Sequence, residues 1–370
     1  MSDLSRPLVD VRLDAVTTAV GPPPPLTDVS VHVRYGEFFT FLGPPHSGKT
    51  AVLRAVAGFL PLRHGRVLID REDITAVPAR RRRMGYVFHE GALWPHLTVR
   101  QHVAFGLEQQ GTAASEVARH VDVVLARLGI AAVATRKPDA LTTDERRRVA
   151  LARALAVEPR VLLLDEPLAH LDPIHRKQLR IELAKLHRDL AVTTLCATRD
   201  AADALALSDR IAVVLDGRIA QIGDVEQIYR RPVSRRVAEA LGPVNFLRVR
   251  VIEVRDLGVV VETERGDRVP VAGVGELREG RTGWLVLRPE TLSLVDAAEA
   301  RGPSVLGQVA LRVFEGARYV YEIDIGAGAP VRVEVPSTSD VRLFRLTERV
   351  RVQVSSDVVA LVPDDGAQPS

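Results

Sequence analysis

The chain of 370 residues holds a single cysteine, Cys196, so no intrachain disulfide can form. This fits a reducing cytosol and excludes a disulfide-stapled fold. Cys196 lies in the apolar run Thr193–Thr198, where a small buried residue is the expected role. No apolar stretch reaches about 18 residues, so no membrane-spanning helix is expected. Met1–Asp10 carries charge early and has no apolar core, so no signal peptide is expected either. Neither sign of charge dominates: 50 Lys plus Arg against 47 Asp plus Glu leaves +3. The pI near 9.2 therefore reflects a small imbalance among strong bases. A dedicated nucleic-acid binder carries a larger and more clustered excess. Lysine is scarce, at positions 49, 137, 177 and 185 only, which leaves 46 arginines. With so much Ala and Val, this reads as the codon bias of a GC-rich genome. What is present is ordinary for a globular protein: 46% hydrophobic and 26% charged residues. The length suggests two or three domains.

Two patterns divide the chain. Up to about Arg231, short apolar runs alternate with helical spacing. Phe38–Leu42, Val67–Asp70, Tyr86–Phe88, Val161–Leu164, Val192–Cys196 and Ile211–Leu215 read as strands. Gly48–Phe59, Ser115–Leu128 and Ile174–Leu190 read as helices, the last with Ile181, Leu183 and Leu186 among its apolar positions. This alternation predicts a mostly parallel sheet covered by helices. From Asn245 onward only short β-like runs appear, punctuated by Gly, Pro and Asp, which predicts an all-β second domain, a small barrel. The expected domains are 1–238 and 239–370. Pro22–Pro25 reads as a turn or short polyproline piece between strands, and the tail Asp364–Ser370 as disordered.

Two motifs carry chemistry. Gly43-Pro44-Pro45-His46-Ser47-Gly48-Lys49-Thr50 fits GxxxxGK[ST], after a predicted strand and opening a predicted helix. The backbone N–H groups of such a loop cradle phosphates at a helix N-terminus. Lys49 would reach the β- and γ-phosphates, and Thr50 would hold Mg²⁺. Val161-Leu162-Leu163-Leu164-Asp165-Glu166 is a buried strand that ends in two carboxylates. Asp165 suits Mg²⁺, and Glu166 is placed to polarise an attacking water.

With these motifs the chain resembles the ATP-binding subunits of ABC transporters, specifically the importer type with a C-terminal TOBE domain. Asp165-Glu166-Pro167-Leu168-Ala169-His170-Leu171-Asp172 resembles the Walker B segment plus D-loop. Gly91–Val99 resembles the segment after the Q-loop. Asp209-Arg210-Ile211, Gly217-Arg218-Ile219 and Gln221-Ile222-Gly223 resemble the end of such ATPase domains. Gly242–Leu247, Leu287-Arg288-Pro289-Glu290 and Gly307–Ile325 resemble the TOBE pattern. The resemblance implies an α/β P-loop NTPase domain of ABC type, with a mostly parallel sheet and a helical subdomain. A C-terminal all-β OB-like domain would follow. It also implies ATP and Mg²⁺, two permease subunits in the membrane and a solute-binding protein. The chain would sit in the cytoplasm, peripheral on the inner face of the cell membrane. Two ATPase domains would form a head-to-tail sandwich with each ATP between one P-loop and the other chain's signature loop. The segment Phe88–Leu107 and the helices up to about Leu128 would dock the membrane subunits.

Several positions depart from the family. The LSGGQ signature aligns with Leu141-Thr142-Thr143-Asp144-Glu145, which has neither glycine. Thr142-x-x-Glu145 is instead a capping-box pattern, suited to the helix's own orphan N–H groups. Asp144 and Glu145 add negative charge where a phosphate would sit. The Q-loop glutamine aligns with His89, and the H-loop histidine with Arg199. Arginine keeps its charge but cannot cycle a proton as histidine does. The adenine-stacking aromatic aligns with about Val20. By resemblance, the catalytic candidates are Glu166, Arg199 and His89. Two readings of activity stand at this point. One is an ATPase coupled to solute uptake. The other is a hydrolysis-impaired pseudo-ATPase, the regulatory or structural half of a heterodimer.

Other features have plainer readings. Arg80–Arg83 is read as a solvated loop, against a nucleic-acid or anionic-lipid patch. His96, His102, His170 and His175 do not make a metal set. Trp94 and Pro95 are read as a docking or packing surface. The β domain shows no basic–aromatic alternation, so a regulatory or dimer-stabilising role is expected there and no nucleic acid.

Overall fold

The computed structural model describes residues 9–19, 25–256, 258–272, 278–300, 302–326, 328–339, 341–354 and 360–364. Val20, most of Pro22–Pro25 and nearly all of the tail after Asp364 lie outside the described residues. The chain divides into two compact units, Met1–Val225 and Glu226–Ser370.

The first unit runs β1 (Val11–Thr18), β2 (Val29–Val33), β3 (Phe38–Leu42), α1 (Lys49–Ala57), β4 (Leu62–Ile69), β5 (Glu72–Asp73), β6 (Met84–Val87), α2 (Val99–Gln109), α3 (Ala114–Arg127) and α4 (Thr143–Ala156). It continues with β7 (Val161–Asp165), α5 (Pro173–Leu190), β8 (Thr193–Thr198), α6 (Ala201–Leu207), β9 (Arg210–Leu215) and β10 (Arg218–Asp224). Six strands form one sheet in the order β10-β9-β3-β8-β7-β6. Within it β9, β3, β8, β7 and β6 are parallel neighbours, and β10 adds antiparallel to β9. Strands β3, β7 and β8 are buried along their whole length, as expected of a sheet covered on both faces. A second, antiparallel sheet has the order β2-β1-β4-β5.

The helices follow the sequence pattern with one correction. Leu179, Leu183 and Leu186 form the buried face of α5, being spaced by four and three residues. Ile181, expected among them, is 49% exposed. Two residues from Leu179, it is turned about 200° around the helix. In α3, the spacing puts Val117, Val121, Val124, Leu125 and the following Leu128 on one side; all are buried except Val124, which is partly buried. The C-terminal end of α1 closes on Gly58 at φ 81, and the buried Arg82 guanidinium donates to Ala55 O (3.1 Å) and Val56 O (2.7 Å). The last carbonyls of α1 are thus satisfied.

The second unit begins with α7 (Val225–Arg230) and α8 (Arg235–Ala240). The strands are β11 (Asn245–Arg255), β12 (Gly258–Thr263), β13 (Arg268–Ala272), β14 (Thr282–Leu287), β15 (Leu292–Asp296), β16 (Ser304–Phe314), β17 (Arg318–Asp324), β18 (Val331–Pro336), β19 (Arg349–Val354) and β20 (Ala360–Pro363). They form two antiparallel five-stranded sheets, β13-β12-β11-β14-β20 and β15-β19-β16-β17-β18, around one shared core. The division at Val225 falls before the 238/239 boundary expected from the first β-like run. Ala238 of α8 shares a small core with Val286 and Val362, and Arg288 donates to Ala238 O (3.2 Å), Gly242 O (3.2 Å) and Pro243 O (3.1 Å). These contacts tie α8 to the strands. Strands β13, β15 and β20 were not among the sequence-based expectations. Among the described residues no helix is long and apolar enough to cross a membrane.

Leu163 is fully buried at the centre of β7. Leu163→Ala should cost about 2–5 kcal/mol by leaving a cavity. Denaturant unfolding of the full chain should show this loss in the first unit's transition, with the second unit's transition unchanged.

Candidate nucleotide site

The sheet's parallel register sets the site. Leu42 pairs with Thr198, and Asp165 pairs with Ala197, so β3, β8 and β7 end at nearly one level. The Gly43–Thr50 loop, the Asp165-Glu166 pair and Arg199 leave the sheet at that shared edge. The loop's base is pinned from outside: Gly217 N–H donates to Ser47 O, and Thr27 N–H donates to Gly217 O, both at 2.9 Å. Gly43 N–H donates to Thr198 O at 3.3 Å.

Two glycines make this path possible. A Cβ on Gly43 would lie 2.3 Å from Val214 O and 2.5 Å from Ser47 Oγ. Gly48 takes φ 103, and a Cβ there would lie 2.6 Å from Pro25 O. Gly48 caps α1 without any side-chain acceptor. The first N–H groups of α1 therefore stay available to a ligand rather than to a cap. His46 takes φ 62, and Pro44 O accepts hydrogen bonds from Ser47 N–H (3.3 Å) and Lys49 Nζ (3.2 Å). Pro45 and His46 form the exposed outer turn of the loop.

Side chains join the loop to β7. Thr50 donates its hydroxyl hydrogen bond to Asp165 Oδ1 at 2.8 Å, and Tyr86 donates to Asp165 Oδ2 at 3.4 Å. Burial, then the Asp165 charge, pushes the Tyr86 phenol well up, so it stays a donor. Lys49 Nζ stands 3.5 Å from Glu166 Oε1, with both side chains about nine-tenths buried. Thr198 donates to Glu166 Oε2 at 3.4 Å. Glu166 takes φ 50. Arg199 follows Thr198 and is exposed. His89 is half-buried beyond the end of β6 and faces His170. Tyr86 and Thr198 were missed from sequence, because nothing distinguishes a strand-terminal Tyr or Thr until the register places it beside a carboxylate.

The donor chemistry fits a nucleotide and a hard cation. Ser47 Oγ is buried in the loop without a partner. Thr50 and Asp165 present two adjacent oxygen donors, the type Mg²⁺ takes together with phosphate oxygens. Among the described residues no group of three or more His, Cys, Asp or Glu is arranged to hold a metal by itself.

The N-terminus of α4 is built the opposite way. Glu145 N–H donates to Thr142 Oγ1 (3.2 Å), and Thr142 N–H donates to Glu145 Oε2 (2.7 Å), which completes the capping box. Asp144 pairs with Arg148 at 2.7 Å, so its charge is balanced locally. The cap, more than net charge, closes this helix end. A cavity of about 750 Å³ lies against it, lined by Thr142, Glu145, His170, Asp172 and His175 among others.

Together these features define a P-loop nucleotide-binding fold. The family model for ABC transporters matches residues 26–169, and that for the TOBE domain matches residues 285–362. A spermidine/putrescine import ATP-binding protein PotA of Vibrio parahaemolyticus is 36% identical over 330 residues, covering 87% of this chain and 86% of the relative. A PotA of Rubrobacter xylanophilus is 38% identical, covering 84% and 86%. A PotA of Pseudomonas fluorescens is 46% identical over 60% of this chain and 62% of the relative. The dimeric post-hydrolysis structure of the ATP-binding cassette MJ0796, bound to ADP and Pi, is similar with a TM-score of 0.53 at 26% identity, covering 58% of this chain and 98% of that one. The chain belongs to the ABC transporter family, as an importer-type ATP-binding subunit with a C-terminal TOBE domain.

Gly43→Ala should abolish ATP-dependent thermal protection, because the new methyl meets Val214 O and Ser47 Oγ. Thr142→Ala should cost about 1 kcal/mol, read as a fall of roughly 2–4 °C in the melting temperature of the first unit.

Proposed function

We propose that this subunit binds ATP with Mg²⁺ at the Gly43–Thr50 loop and couples its hydrolysis to solute uptake through two membrane permease subunits. It would work on the cytoplasmic face of the membrane, with a solute-binding protein delivering the solute. The observation that carries this is the joining of Lys49 and Thr50 to the two carboxylates at the end of β7. Loop N–H groups and Lys49 hold the phosphates. Thr50 and Asp165 hold Mg²⁺, which when bound neutralises phosphate charge. Glu166 accepts a proton from the attacking water, and Thr198 orients its carboxylate. By alignment, His89 and Arg199 replace the family's Q-loop glutamine and H-loop histidine, and they are read here in those roles. The cargo of the PotA relatives, spermidine and putrescine, is the first solute class to test.

Glu166→Gln should lower steady-state ATP turnover by about 100-fold or more, with ATP-dependent thermal protection retained. Equal turnover in both proteins would sink the assignment. In cells that also express the cognate permeases, labelled spermidine uptake should depend on Lys49.

The capped α4 favours one form of assembly. A helix start in which Thr142 and Glu145 take up two N–H groups, and in which Thr143 and Asp144 carry side chains where the signature has glycines, is less open to another chain's nucleotide. This supports pairing with a second ATPase whose signature loop is intact over pairing of two identical chains. Thr143→Gly with Asp144→Gly should then raise the turnover of the isolated chain. An unchanged rate would count against this pairing.

A further inference from the structure

Two segments distant in sequence meet beside Glu166. His89 follows β6 and opens the segment leading to α2, and His170 lies between Glu166 and α5. Their Nε2 atoms are 3.4 Å apart, with ring planes at 62°. At that separation the two rings are hydrogen-bonded when one nitrogen donates and the other accepts. The Nδ1 of His89 is buried without a partner, so the contact with His170 is what orients that ring.

The loop carrying His170 is held at several points. Ala169 N–H donates to Glu166 O at 3.1 Å. Arg147, from α4, donates to Ala169 O at 3.3 Å. Asp172 accepts from Ile174 and His175 N–H and caps α5. Both Glu166 (φ 50) and His170 (φ 61) take left-handed backbone conformations that cost non-glycine residues free energy. Such conformations persist only where contacts hold them.

We infer that His170 is a positioning residue for Glu166: its hydrogen bond to His89 ties the segment after β6 to the loop that carries the carboxylate. The inference rests on the reading of Glu166 as the group that accepts the water's proton. His170 does not touch reacting atoms. It acts by fixing the loop, with Arg147 gripping the same loop from the other side. The buried Arg147 guanidinium also interacts electrostatically with Glu166. Glu90 follows His89 in sequence, and the cavity that His170 lines also holds Asp144, Glu145 and Arg148 of α4 and Asp172, His175 and Glu182 at and within α5.

The pair is tested in the full-length chain with His89→Ala, His170→Ala, His170→Asn and the double alanine variant. Imidazole ¹⁵N NMR should show the His89 Nε2 chemical shift change when His170 is replaced, since that nitrogen loses its hydrogen-bond partner. ATP turnover should fall several-fold in each single alanine variant, with KM for ATP within about two-fold. The double variant should be no slower than the slower single one. His170→Asn, which can still donate or accept, should recover most of the rate. An unmoved His89 Nε2 chemical shift, or a double variant that loses the product of the single losses, overturns the inference. Turnover is read in the complex with the second ATPase and the permeases. Turnover there that His170→Ala leaves unchanged, with the histidine contact still seen by NMR in the unmodified chain, would overturn the positioning role and leave the contact standing. Turnover that Glu166→Gln also leaves unchanged would overturn the reading of Glu166.

Discussion

The nucleotide site depends on the shared level at which β3, β8 and β7 end. Leu42 beside Thr198, and Ala197 beside Asp165, bring three loops to one edge of the sheet. Everything polar in the site follows from that register. Thr50 reaches Asp165, Lys49 reaches Glu166, and Thr198 reaches the same glutamate from the strand between. A slip of one residue in β7 would turn Asp165 to the other face of the sheet and part it from Thr50. The buried, continuously apolar strands make such a slip costly, so the core sets the geometry of the chemistry.

Two helix N-termini in the same unit show one physical rule used in opposite ways. Each helix begins with orphan N–H groups. In α1, Gly48 has no side chain with which to cap, and the loop before it curls over the helix end. In α4, Thr142 and Glu145 satisfy two of those groups from within the chain, and Arg148 balances Asp144. The first terminus leaves its N–H groups open, and the second has two of them taken up by its own capping pair.

Much of this was legible in the sequence because it is local. The phosphate loop is eight consecutive residues, Thr142 and Glu145 lie three apart, and the apolar run Val161–Leu164 announces a buried strand. The spacing also predicted the buried face of α3. It overcounted on α5, where Ile181 is apolar but points outward. Strands β13, β15 and β20 escaped because their runs are short and mixed, and β15 and β20 are held by strands about 55–80 residues away, β19 and β14. The short helices α7 and α8 were likewise assigned by packing: the buried Arg288 gathers three carbonyls at and beyond the end of α8.

By itself, the sequence determined which groups are available: glycines where the backbone must pass closely, one lysine and one threonine at a helix start, two carboxylates at a strand end, and a capping pair where a second glycine loop would be expected. The tertiary structure decided which of them meet. Only the sheet register put Thr198 on Glu166 and Tyr86 on Asp165, and only the folding of two separate segments put His89 against His170. Hydrogen bonds within a few residues can be read from spacing. Those between residues 81 or 115 apart, such as His89 with His170 or Thr50 with Asp165, exist only once the core has fixed where each strand ends.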